Sequence, residues 1–168
     1  MILLKLLSHF IGYKLYVQIA PDRLTVRNPK TGQQVSDVAE LAIVRDTKPL
    51  RIAVGKEAGA AATAQTRAEI IRPFAHPRTI ISDFTAGEHL LKAFMSKLRT
   101  PGIFSLAPHV VMHPLGDPEG GYTQIEIRAI QELARGAGAH TAIVWQGRPL
   151  TDHELITGKF PSTGSILT

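Results

Sequence analysis

The 168-residue sequence contains no cysteine, so it can form no disulfide, no zinc–thiolate cluster and no thiol nucleophile. That excludes a secreted disulfide scaffold and fits a reducing cytosol. A bilayer-length apolar run is also missing: the most apolar stretch, residues 1–12, is interrupted by Lys5 and His9 and falls short of the ~20 residues that a spanning helix needs. Aromatic residues are sparse at 6%, with a single tryptophan, and neither an internal repeat nor a Walker motif is present. Residues 54–57 (Val-Gly-Lys-Glu) lack the upstream glycine and the Ser/Thr of a phosphate loop of that kind. The rest is ordinary: 44% hydrophobic and 20% charged residues in a length that suits one domain, or one domain with a small lobe.

The net charge of +5 is one-sided. Residues 1–84 hold 12 basic and 7 acidic side chains, while residues 85–168 hold 7 of each. Such a basic half suits an anionic membrane, a nucleic acid, or solubility alone. In residues 1–12 the polar positions Lys5, Ser8, His9 and Gly12 recur at i, i+3, i+4 and i+7, leaving Ile2, Leu3, Leu6, Leu7 and Phe10 on one broad apolar face. The spacing predicts an amphipathic helix, packed on its own domain or lying in a membrane interface. The basic n-region and small-residue cleavage site of a signal peptide are not apparent. Lys14, Arg23, Arg27 and Lys30 come soon after and would favour an anionic leaflet.

Residues 14–19 and 24–28 read as a hairpin turned by Ala20, Pro21, Asp22 and Arg23. Residues 28–32 (Asn-Pro-Lys-Thr-Gly) mark another turn, and 40–45 with 50–54 form a second hairpin. The alanine-rich tract 56–64 predicts a short exposed helix. Pro73 and Pro77 bar a regular helix over residues 72–77, and residues 80–84 suggest a brief strand. Thr85 and Glu88 have capping-box spacing, before a helix that buries Leu90, Leu91, Phe94, Met95 and Leu98. Residues 109–113 predict a buried strand. Thr123 and Glu126 form another capping box, opening a helix expected to face Ile125, Ala129, Ile130, Leu133 and Ala134 inward, with Gly136 or Gly138 as its stop. A strand over 141–145, a short helix within 149–156 and a loose tail over 158–168 complete an α/β domain on a mixed sheet. His109 and His113 share one strand face, but with no carboxylate nearby they read as structural, and no metal site is assigned.

Several strings in this order resemble the N-terminal lobe of MreB, the bacterial actin-like cell-shape protein. They are residues 52–58 (Ile-Ala-Val-Gly-Lys-Glu-Ala), 71–73 (Ile-Arg-Pro), 80–84 (Ile-Ile-Ser-Asp-Phe), Thr123 with Ile125, Glu126, Arg128 and Ala129, and 136–139 (Gly-Ala-Gly-Ala). The resemblance covers roughly residues 13–157. It implies the actin-like ATPase N-terminal lobe, a ribonuclease-H-like mixed sheet of about five strands flanked by helices. A small subdomain would be inserted near 28–80, and residues 1–12 would match the membrane anchor of many members. It further implies a cytoplasmic protein, peripheral on the inner face of the membrane.

The departures bear on function. Where the family carries an Asp-x-Gly-Thr phosphate loop that serves ATP and Mg²⁺, this sequence has Gln18, Ile19, Ala20 and Pro21. Glutamine brings no negative charge, alanine places a Cβ toward the phosphate, and proline removes a donor N–H. The family's Gly-rich second phosphate loop and second lobe have no counterpart in the sequence, and its Glu-Pro dipeptide is Arg148-Pro149 here. Glu126 matches the carboxylate that orients the attacking water, although its place in a capping box also accounts for it. The expectation is a truncated MreB-like protein without ATPase activity and with no cofactor. It would act through contacts with a full-length actin-like filament protein, by self-association, or at an anionic membrane. A split ATPase that takes its second lobe from another chain is one alternative. A ribonuclease-H-like nucleic-acid binder using Asp22, Asp83 and Glu126 is another, with the membrane preferred to nucleic acid as the partner of the basic charge.

Overall fold

The computed structural model describes residues 13–44, 52–64, 67–99 and 106–168. Residues 1–12, with the apolar face of Ile2, Leu3, Leu6, Leu7 and Phe10, lie outside the described residues, as does the turn of the second predicted hairpin. A six-stranded mixed sheet forms the body, in the order β3 (Gln34–Val38), β2 (Arg23–Arg27), β1 (Lys14–Ile19), β7 (His109–Pro114), β8 (Thr141–Gln146), β9 (Ser165–Leu167). β1, β7 and β8 run parallel, and β2, β3 and β9 are antiparallel to their neighbours. A separate three-stranded sheet, β5 (Ile52–Val54), β4 (Leu41–Val44), β6 (Ala68–Ile71), carries α1 (Lys56–Ala64).

Strand alternation sends two sets of side chains to opposite faces of the main sheet. Leu15, Val17, Ile19, Leu24, Val26, Val110, Met112, Ala142 and Val144 join one large core with α2 (Phe84–Ser96) and α3 (Gln124–Gly136). Leu41, Ile43, Val54 and Ile71 of the small sheet pack against that same core, so the small sheet shares it. Tyr16, Val111 and Trp145 face the other way, into a smaller cluster closed by Leu150 and by Leu155 of α4 (Asp152–Thr157).

Three expectations are corrected. Residues 80–83 form no strand; Asp83 is the N-cap of α2, accepting the Ala86 amide through its side chain, so the helix starts ahead of the predicted Thr85 cap. Ile125 is 80% exposed and Ile127 is buried instead. Two residues apart on a helix lie about 200° apart, and the buried stripe is Ile127, Ile130, Leu133 and Ala134. α3 stops as the sequence expects: Gly136 is its last residue, and Gly138 follows the Ala137 C-cap at φ 109°, its N–H donating to the Arg135 carbonyl and that of Ala139 to the Ala134 carbonyl, each at 2.9 Å. The tail is not loose: β9 pairs Val144 with Leu167 and Gln146 with Ser165. Strands β3 and β6 are additions that the sequence pattern does not announce.

Candidate functional site

Ligands in α/β sheets gather at the carboxyl ends of parallel strands, and a cleft of about 290 Å³ opens at the carboxyl ends of β1 and β7. Its walls are Ile19, Ala20 and Pro21 after β1, Leu115 to Pro118 after β7, Tyr122 and Glu126 at the start of α3, and the loop from Phe74 to Ile80. The structure thus brings Ala20, Pro21 and Glu126 together. Gln18 points to the other face of the sheet, where it reaches the Tyr16 hydroxyl. The Phe74–Ile80 wall is not expected from the sequence, in which Pro73 and Pro77 serve only as breaks. Its sequence signal is this pair of prolines, which holds the segment off the helix path.

The β1–β2 turn is closed upon itself. The Ala20 N–H donates to the Arg23 carbonyl at 2.9 Å, the Arg23 N–H returns to the Ala20 carbonyl at 3.4 Å, and Pro21 has no N–H. Two of the backbone donors that a phosphate would need at this turn are therefore spent or missing. Glu126 is tied into the helix cap: its Oε2 accepts from the Thr123 N–H and Oγ1, each at 2.9 Å, while Thr123 Oγ1 accepts the Glu126 N–H at 3.2 Å. Tyr122 donates to the Gly116 carbonyl at 3.0 Å. Burial above all, and then the neighbouring Glu126 carboxylate, push its phenol up from the ordinary value, so it stays protonated.

Asp22, Asp83 and Glu126 do not assemble into a metal site: among the described residues no group of three or more histidine or carboxylate side chains could hold an ion. Metal-dependent nuclease chemistry requires such a cluster. His113 is structural, its Nδ1 2.5 Å from Tyr16 Oη and its Nε2 3.0 Å from the Gly147 carbonyl. His109 bonds Thr141 Oγ1 at 2.7 Å. Arg148 grips Glu154 with both guanidinium nitrogens and so serves the start of α4. At the opposite end of the sheet lies a second groove of about 280 Å³, walled by Tyr13, Met95, Leu106, Pro108 and Ala137, with Lys92 and Arg99 at its rim. Among the described residues no helix is long and apolar enough to cross a membrane.

Known proteins share this fold. The MreB/Mbl protein family model matches residues 25–149. Among solved structures, MreB5 of Spiroplasma citri bound to AMPPNP is similar with a TM-score of 0.58 at 20% identity, covering 78% of this chain and 38% of that one. A non-polymerising MamK mutant bound to AMPPNP gives 0.59 at 18% identity, covering 79% and 41%. The MamK double helical filament gives 0.57 at 14% identity, covering 78% and 40%. At these identities the likeness is one of fold, and the chain spans about two fifths of the length of the structures it matches. No curated protein matches it.

Proposed function

The chain belongs to the MreB/Mbl family, and from that premise we propose that it is a cytoskeletal, cell-shape component that acts by protein contact and does not turn over ATP. The observation that carries this reading is the β1–β2 turn. Phosphoryl transfer needs a phosphate cradle, a metal and a placed nucleophile together. At this turn the Ala20 amide is already bonded to Arg23, Pro21 offers none, and the Ala20 Cβ stands where the family has glycine. Glu126 retains the family's position, but its carboxylate is committed to Thr123. No ATP or Mg²⁺ is required for such a role. Its partner is a full-length actin-like filament protein or another copy of the chain.

Two measurements test this. Co-sedimentation with polymerised full-length MreB from the same cell is expected to carry the chain into the pellet or shorten the filaments; neither effect would count decisively against a filament partner. Calorimetric titration with Mg-ATP is expected to give no binding heat, alone or with the filament, and heat only in the presence of a partner would favour the split ATPase.

Membrane contact is a separable part of the proposal, resting on the amphipathic spacing of residues 1–12. Vesicles containing anionic lipid are expected to float the intact chain and to lose it after removal of residues 1–12 or after Leu6→Asp. Equal flotation of all three would refute insertion.

A further inference from the structure

We propose that residues 1–12 dock on their own lobe, their apolar face seated in the groove between Tyr13, Met95, Leu106 and Pro108, so that this face is withheld from a membrane until anionic lipid draws it out. The docking is independent of the protein-contact reading; only its consequence at a vesicle rests on the membrane reading.

The groove lies where the segment joins the lobe. Its apolar walls come from four parts of the chain: Tyr13 ahead of β1, Met95 near the end of α2, Leu106 and Pro108 ahead of β7, and Ala137 after α3. Leu106 stands 47% exposed there. Tyr13 packs against the core, and its carbonyl accepts the His109 N–H at 2.9 Å, which fixes that residue as a wall. β1 then runs away from the groove, toward the cleft at the other end of the sheet. Residue 12 is therefore bonded to the wall itself.

The segment suits the groove in length, polarity and charge. Ile2, Leu3, Leu6, Leu7 and Phe10 share one apolar face by their spacing. With a helical rise of about 1.5 Å per residue, Phe10 and Leu6 come within about 11 Å of Tyr13 along the axis. A groove of about 280 Å³ takes a few such side chains. Because no linker intervenes, the segment is offered at an effective concentration on the order of millimolar, and a free competitor starts at a disadvantage. Lys92 and Arg99 stand at the rim, where the last carbonyls of a helix ending at Gly12 would lie, and cations are favourable at that end of a helix. Lys5 and His9 belong to the opposite, polar face and so stay clear of these two cations. One apolar face cannot occupy groove and bilayer together. Docking therefore lowers the apparent membrane affinity by the fraction of chains left undocked.

Hydrogen exchange and vesicle flotation of the full chain test the proposal. Leu106→Asn with Ala107→Asn places amides in the groove wall at two exposed positions without changing the net charge, so an unchanged melting curve is expected. Without lipid, the amides of residues 1–12 are expected to exchange about tenfold more slowly in the wild type than in this variant. With vesicles of equimolar phosphatidylglycerol and phosphatidylcholine, the variant is expected to float at a several-fold lower lipid concentration. Leu6→Asp is expected to lose both the protection and the flotation. Equal exchange in wild type and variant, or flotation of both at the same lipid concentration, would overturn the proposal. So would a variant that floats less well than the wild type, which would make lipid the occupant of the groove, and protection that grows with protein concentration, which would make it the segment of a second copy. If neither chain floats while the exchange difference persists, the membrane reading falls and the docking stands.

Discussion

Tyr16 is 2% exposed yet carries a hydroxyl, and the hydroxyl is fully employed. It accepts the Leu150 N–H at 3.2 Å, which leaves its own proton for His113 Nδ1. His113 must then hold its ring proton on Nε2, since the Gly147 carbonyl there can only accept. A neutral imidazole is built in, and burial pushes its pKa below the ordinary 6.5. The unfolded chain therefore binds the proton more readily, so this stabilisation is complete above about pH 6.5 and declines as pH falls toward the folded value. Tyr16→Phe strands both the imidazole nitrogen and the Leu150 amide, and should cost about 1–3 kcal/mol by denaturant unfolding. It should also raise the His113 pKa read by NMR, because the donor that favours the neutral ring is gone; an unmoved titration would disprove the assigned tautomer. Gly164 is a second intolerant position, since a Cβ there would fall on the Trp145 ring and the Gln146 carbonyl oxygen. Gly164→Ala should destabilise by about 1–3 kcal/mol, as overpacking does, with the Trp145 fluorescence reporting the displaced ring.

At the scale of elements, helices whose stripe and cap agree were legible in the sequence, and elements made by tertiary pairing were not. α3 has both signals, and its capping box at Thr123 and Glu126 is present with both bonds. The stripe was misphased by Ile125 because a hydrophobic residue just inside a cap looks like core when no surface is in view. α2 misled through its own sequence: Thr85 and Glu88 have capping-box spacing, but Asp83 lies two residues earlier and wins the Ala86 amide. β3 is an edge strand whose five residues include Gln34, Ser36 and Asp37, and β9 is three residues long. Neither carries a period to read, and each exists because a neighbouring strand offers it a ladder. α4 shows the same dependence electrostatically. Six residues are too few for an isolated helix, and it is held by Thr151 as N-cap, by Lys14 Nζ on the Leu155 and Ile156 carbonyls, and by Arg148 on Glu154. Arg148 foremost, with the Thr151 amide, lowers the Glu154 carboxyl to about 2 from 4.5. The associated stability is present above pH 4.5 and is lost as pH falls toward 2. Glu154→Gln should therefore flatten the acid limb of the unfolding curve below pH 4.5 and leave the His113 limb nearer pH 6.5 in place; two unchanged limbs would show that Glu154 does not contribute.

For the whole molecule, the candidate site was half legible. The resemblance pointed to the turn at residues 18–21 and to Glu126, and the cleft contains Ala20, Pro21 and Glu126. The other half of the wall, Phe74 to Ile80, comes from a segment far away in sequence whose prolines say where it cannot be helical but not what it faces. Gln18 shows why a motif position is not yet a site position: alternation along β1 turns its side chain away from the cleft, while the backbone just after it lines the wall. The proposed nucleotide-independent role rests on the chemistry of the turn, which substitution can test. Ala20→Gly and Pro21→Thr together remove a Cβ and restore an amide donor at the turn. If the turn is the obstacle, the double variant should give measurable Mg-ADP heat in calorimetry where the parent gives none. Each single change should give little, because a phosphate cradle works only when its donors converge on the same oxygens. The variant should also keep the parent's melting temperature within a few degrees, since the turn lies at the cleft rather than in the core. Heat from the parent itself would remove the basis for a nucleotide-independent role. A folded double variant that binds nothing would show that the turn is not the cause.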